Sequence, residues 1–254
     1  MAGIDLSWTG GLARLRLAEP GNRNAFNLAF CRAFAQKALD VAAASPAAIL
    51  IEAEGDAFSV GGDLAEFLAE RERIERHVLE LASLFHLGIA RLHGTGAPIL
   101  VAVNGTAAGG GFSLVCGADL VVASEAARFV SAYTASGVTP DGGGTFFLPR
   151  IVGRSVAFDL MATNPVLSAQ EAKALGIVAR VVAPEALDEA VEALVAQLAA
   201  QPPGAVAGLK ALLRRGEDEA LATQLRAEAD SIARLAASPA TLARMEQFLT
   251  RKAR

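Results

Sequence analysis

Two loops with adjacent glycines are the segments of this chain best suited to chemistry. Residues 54–64 read Glu-Gly-Asp-Ala-Phe-Ser-Val-Gly-Gly-Asp-Leu, and residues 99–111 read Ile-Leu-Val-Ala-Val-Asn-Gly-Thr-Ala-Ala-Gly-Gly-Gly. In each, a strand-like apolar run passes through glycines (Gly61-Gly62; Gly109-Gly110-Gly111) into a helical run. Glycine lets a ligand approach the backbone closely. The first N–H groups of a helix lack internal partners and point outward at its positive end. One such loop is ordinarily just a turn. Two, each joining a strand to a helix, can aim two N–H donors at one oxygen, as stabilising an enolate or a tetrahedral oxyanion requires.

The side chains that could act beside such a pair are few. Asp141 stands in Pro140-Asp141-Gly142-Gly143-Gly144; on local grounds alone it reads as a turn residue or helix N-cap. Of three histidines, His77 lies in a charged run that reads as solvated. His93 precedes a Gly-Thr-Gly turn and has no evident role. His86 lies in the apolar Leu84-Phe85-His86-Leu87, where a helix-face histidine with a hydrogen-bond partner is expected. Cys31 and Cys116 sit in apolar runs, far apart, with no disulfide or zinc spacing, and read as buried free thiols.

The elements that must position these groups alternate. Residues 12–17 read as a half-exposed strand, 20–22 as a turn, 25–44 as a helix and 47–53 as a buried strand. A glycine loop at 55–62 leads into one long helix over 64–93. Strand 99–103, a helix from 109, and strands 120–123 and 128–130 follow. From about 184 strand signals stop, and helical patterns run to the end, punctuated by Pro202-Pro203-Gly204, Gly216 and Pro239. This is an α/β pattern with helices outside sheets.

The chain has 254 residues, 53% hydrophobic and 20% charged, with a net charge of −4. That is enough apolar material for one large domain. The acidic balance argues against a nucleic-acid partner, and no apolar run is long enough to span a bilayer. With no basic-then-apolar leader at its start, the chain reads as a cytoplasmic protein.

Phe58-Ser59-Val60-Gly61-Gly62-Asp63-Leu64 and Val103-Asn104-Gly105-Thr106-Ala107-Ala108-Gly109-Gly110-Gly111 together resemble the enoyl-CoA hydratase/isomerase (crotonase) superfamily. The likeness extends to Asn24-Ala25-Phe26-Asn27, to residues 137–145 and 148–153, to Ala169–Val178 and to Phe248–Lys252, in the family's order. It implies an α/β fold of strand-strand-helix turns wound as a spiral (residues 1–200). A C-terminal helical trimerisation region (201–254) would follow, giving homotrimers or hexamers built as dimers of trimers. It implies an acyl-CoA thioester whose carbonyl oxygen sits between the N–H groups of Gly62 and Gly110. No separate cofactor is implied; coenzyme A, as part of the thioester substrate, would run past Arg23, Ala25, Val60, Gly62 and Leu64. Lys210 or Arg251 would meet its phosphates.

The chain departs from the family's hydratases, which position water with two glutamates. Those positions hold Ser113 and Tyr133. Asp141 then resembles the acid/base of the family's single-aspartate isomerases, where one carboxylate moves a proton from the α to the γ carbon. Another branch, the 4-chlorobenzoyl-CoA dehalogenases, carries an aspartate nucleophile at the Asp141 position and a histidine base at that of His86. That branch has an aromatic residue at the Gly62 position and a tryptophan at that of Tyr133, so Tyr133 is expected to line the acyl pocket or to join the core. An atypical hydratase and a non-catalytic acyl-CoA binder are the remaining alternatives.

Overall fold

The computed structural model describes residues 3–202 and 204–252, the side chains of 251 and 252 excepted. Its main sheet has six strands in the order β1-β2-β3-β5-β7-β10: β1 (Ile4–Thr9), β2 (Leu12–Leu17), β3 (Ala48–Ala53), β5 (Ile99–Val103), β7 (Leu120–Ser124) and β10 (Arg180–Val182). Only β1 runs antiparallel to its neighbour. A smaller sheet has the order β4-β6-β8-β9, from β4 (Ala57–Ser59), β6 (Thr106–Ala108), β8 (Arg128–Val130) and β9 (Leu167–Ser168). The strands are thus dealt alternately: β3, β5 and β7 go to the main sheet, and each following strand, β4, β6 and β8, goes to the small one. Three strand-strand-helix turns result, as the spiral expectation requires.

Period-two alternation explains how the main sheet is covered on both faces. Ile49 and Ile51 of β3, with Ile99, Val101 and Val103 of β5, face a core that includes Phe30 and Phe34 of α1 (Leu28–Ala44) and Leu81 and Phe85 of α3 (Ile74–Gly94). The intervening Leu50, Leu100 and Val122 face Leu187, Val191 and Leu194 of α8 (Leu187–Ala199). The site-bearing elements are α2 (Leu64–Ala69), α4 (Gly110–Cys116) and α5 (Gly144–Val152); α6 (Arg154–Thr163) and α7 (Ala169–Ala174) complete the core. Then come α9 (Ala205–Gly216), α10 (Leu221–Ala236) and α11 (Pro239–Lys252). These last helices leave Leu221, Leu225, Ile232, Leu242 and Phe248 exposed.

Three expectations are corrected. The helix read over 64–93 is two helices, broken by a 3₁₀ turn at Arg71–Arg73. The break lets α2 stay beside the glycine loop while α3 packs along α1. His77 is therefore not solvated: it lies 5% exposed beneath α2. The first helix starts at Leu28, because Asn27 is its N-cap, its side chain accepting from Phe30 N–H. Cys31 and Cys116 are buried and unbridged, as expected.

Candidate active site

The small sheet brings the two glycine loops together. β4 and β6 pair in parallel (Ala57↔Thr106, Ser59↔Ala107), as do β6 and β8, so all three strands release their next segments on one side. Contact between the first two loops depends on Gly61, at φ +84°. A Cβ there would stand 2.9 Å from the Ala108 carbonyl oxygen and 3.2 Å from Gly110 N. A strap from the 23–27 segment fixes the first loop. Val60 N–H donates to Arg23 O (3.2 Å), Phe26 N–H to Gly61 O (2.7 Å) and Asp63 N–H to Phe26 O (3.1 Å). This pattern skips Gly62. Its N–H, and that of Gly110 at the first position of α4, have no acceptor among the described residues. Phe67 of α2 packs on Gly62, and the rings of Phe26 and Phe85, 5.0 Å apart, pack on Gly110.

Asp141 gathers the remaining polar groups. Tyr133, released from β8, donates its hydroxyl to Asp141 Oδ1 at 2.6 Å. Ser113 of α4 donates to the Asp141 backbone carbonyl at 2.8 Å. Each hydroxyl has a single proton, and both are committed to Asp141, so the 3.2 Å approach of Ser113 Oγ to Tyr133 Oη is contact rather than a further donor bond. Burial, then the Asp141 charge, push the Tyr133 hydroxyl far above the ordinary tyrosine range, so it remains a donor. His86 reaches the same residue from α3. Its Nε2 accepts from Gly142 N–H at 3.0 Å and stands 3.4 Å from Asp141 Oδ2. As an acceptor Nε2 carries no proton, which leaves the ring proton on Nδ1 and makes the contact with Asp141 something other than a hydrogen bond. Of the two local readings of Asp141, turn residue holds and helix N-cap fails: its carbonyl accepts from Gly144 N–H at 3.0 Å, whereas α5 is capped by Gly143 with no side-chain bond and the Asp141 carboxylate turns toward Tyr133.

The sequence as a whole matches the family model described as enoyl-CoA hydratase/isomerase over residues 8–253. The chain belongs to the enoyl-CoA hydratase/isomerase family. Among its relatives in this family is 4-chlorobenzoyl coenzyme A dehalogenase-2 of Arthrobacter sp, 31% identical over 260 residues, or 99% of this chain and 92% of that one. Another is 1,2-epoxyphenylacetyl-CoA isomerase of Escherichia coli K12, 39% identical over 142 residues, 56% of this chain and 54% of the relative. The crystal structure of an enoyl-CoA hydratase from Polaromonas sp. JS666 superposes with a TM-score of 0.91, covering 98% of this chain and 97% of that one at 29% identity.

The residues expected beside coenzyme A lie close together: Val60 N–H donates to Arg23 O, Phe26, next to Ala25, pairs with Gly62 as an isolated parallel β-bridge, and Leu64 is exposed two positions further on. Arg23 is exposed, with Asp56 Oδ1 3.7 Å from its Nε. Lys210 is not free to meet a phosphate. Its Nζ is buried and donates to Asp119 Oδ2 (2.7 Å) and the Ala97 carbonyl (2.8 Å), so its charge serves to dock α9 on the core. The side chain of Arg251 lies outside the described residues. Sequence reasoning took Ser113 and Tyr133 chiefly as missing glutamates. It missed their joint hold on Asp141, for which the signal was that both stand at the glutamate positions. It also missed Phe26, Phe67 and Phe85 as walls.

Proposed function

We propose that this chain is an acyl-CoA isomerase that shifts a double bond by moving a proton from the α to the γ carbon of a 3-enoyl thioester. In this reading the thioester oxygen takes the two unpartnered N–H groups of Gly62 and Gly110. The Asp141 carboxylate removes the α proton, and the electron pair moves into a dienolate whose oxygen rests on those two donors; protonated Asp141, 32% exposed and able to exchange its proton with solvent, then protonates the γ carbon, or the α carbon again on reversal. Nothing is added or lost, and one carboxylate suffices. The observation that carries this reading is the bond from Tyr133 to Asp141: the group at the second glutamate position orients the one carboxylate instead of holding water. Coenzyme A passing Arg23, Ala25, Val60 and Leu64, a cytoplasmic location and a homotrimer or dimer of trimers belong to the same proposal. The exposed leucines and phenylalanine of α10 and α11 favour assembly.

The test is single-turnover reaction of a 3-enoyl-CoA in deuterated water, read by mass spectrometry. The expected result is double-bond migration with α-proton exchange. Asp141→Asn should lower the rate by about a hundredfold to ten-thousandfold, the range for a lost general base. Absence of α-exchange with every 2-enoyl-, 3-enoyl- and aryl-CoA thioester tried would end the reading.

The approach of His86 to Asp141 favours one second reading, an aryl-CoA hydrolase or dehalogenase. Asp141 would attack the ring carbon and expel the leaving group, and water deprotonated by His86 would cleave the aryl ester. The Gly142 N–H already occupies the lone pair that such a base would use, so we rank it second. Oxygen from labelled water appearing in Asp141 after one turnover would reverse that order.

A further inference from the structure

Helix α2 carries the wall over Gly62, yet buries none of its own residues. Leu64 and Leu68 face solvent. What holds α2 is polar. The Asp63 side chain caps it, accepting from Ala65 and Glu66 N–H, and Glu66 Oε2 accepts from the N–H of Leu28, the first residue of α1 (3.0 Å). The other oxygen, Glu66 Oε1, stands 3.7 Å from His77 Nε2. That nitrogen is fully buried and has no hydrogen-bond partner among the described residues. A buried polar atom without a partner is costly, and a shift of α2 by about 0.5–1 Å would bring the pair to hydrogen-bond length. Phe67, next to Glu66, touches both ends of the arrangement: its ring lies edge-on to His77 at 6.3 Å and packs on Gly62.

We infer that His77 is a positioning residue. Its Nε2–H donates to Glu66 Oε1 when a thioester occupies the site, and the closed pair clamps α2, hence Phe67 and the Gly62 N–H, over the acyl group. The inference rests on the reading of Gly62 as a thioester-oxygen donor. It concerns the acyl part of the ligand, because Phe67 packs on Gly62, while the Leu64 end of α2 is tied through Asp63 N–H to Phe26 O independently of Glu66.

Two substitutions separate donor from packing. His77→Phe keeps a ring and removes the donor; His77→Gln gives up the ring and puts an amide N–H near the Nε2 position. Hydrogen–deuterium exchange of the 65–69 amides is followed in the full chain, alone and with saturating coenzyme A or butyryl-CoA, a thioester with no double bond to move. In the wild type and in His77→Gln, butyryl-CoA should slow exchange more than coenzyme A does. In His77→Phe that difference should vanish, and the butyryl-CoA Kd should rise about tenfold, the size of one buried hydrogen bond, with the coenzyme A Kd unchanged. Thermal melts of each variant check folding. Equal protection by the two ligands in the wild type, or Phe behaving as wild type, or Gln failing alongside Phe, overturns the inference. Failure here with α-proton exchange intact leaves the isomerase reading standing. A working clamp on a protein that exchanges no α proton condemns that reading and keeps the clamp.

Discussion

The Tyr133 hydroxyl donates to Asp141 Oδ1 at 2.6 Å across the turn that folds the single connection between β8 and α5 back on itself. The link fixes the rotamer of the Asp141 carboxylate and supports its charge. Tyr133→Phe should therefore lower kcat by about ten- to a hundredfold, one charge-assisted hydrogen bond, and move KM little. Steady-state kinetics with a 3-enoyl-CoA check it. An unchanged kcat would mean that Asp141 is positioned by the Ser113 bond and the loop alone.

Gly61 tests whether contact between the loops matters. Alanine there meets both a left-handed φ and an Ala108 oxygen 2.9 Å away. The strain should cost about 1–3 kcal/mol of stability. Moving one of two donors off a shared oxygen should cost roughly a hundredfold in kcat. Denaturant unfolding and kinetics on the same preparation separate the two effects. Full activity in a destabilised Gly61→Ala protein would show that the two N–H groups do not act on one atom.

Legibility in the sequence followed element length and tertiary reach. Strands β2, β3, β5 and β7 showed their period or their apolar run, and the two glycine loops and Asp141 announced themselves by type and spacing. Strand β8 was legible at Arg128–Val130, but its partners β4 and β6 have three residues each, too few to carry a period. Yet they decide the site, because their parallel pairing sets the loops side by side. β1 alternates Ile4, Leu6 and Trp8, but Trp8 is 44% exposed, so the apolar signal does not mark a buried face. The break at 71–73 and the burial of His77 come from the competition of α2 and α3 for different surfaces, which no window of sequence contains. The Tyr133–Asp141 bond depends on a 3₁₀ turn at Thr134–Ser136 and on Val138 N–H returning to Tyr133 O, a local reversal with no side-chain signature.

Lys210 supplies a prediction against its coenzyme A role. With its Nζ spent on Asp119 and Ala97, Lys210→Met should destabilise the fold by about 2–4 kcal/mol, because a half-exposed carboxylate and a buried carbonyl lose their donor. Asp119 Oδ2 keeps the Ile99 N–H bond, which moderates the loss. Calorimetric titration with coenzyme A, below the melting range of the variant, should give the wild-type Kd. A weakened Kd in folded Lys210→Met would restore the phosphate role.

His93 gives the fold a pH dependence with a definite sign. It is partly buried, stacked on Phe147 with ring centroids 4.9 Å apart, and burial, then the nearby Lys210 and Arg214 charges, push its pKa down to about 4. In the unfolded chain a histidine titrates near 6.5. Between those values the unfolded state binds a proton that the folded state refuses, so the unfolded state gains and stability falls as pH falls. The loss should start as pH drops through about 6.5, reach about 3 kcal/mol near pH 4, and stop growing below that. Carboxylates titrate over part of the same range, so the comparison is with His93→Gln, which keeps them all. Denaturant unfolding across this window should show the wild type losing more stability than the variant by that amount. Parallel curves would mean that imidazolium is accommodated at this site, with Phe147 or α9 giving way to water.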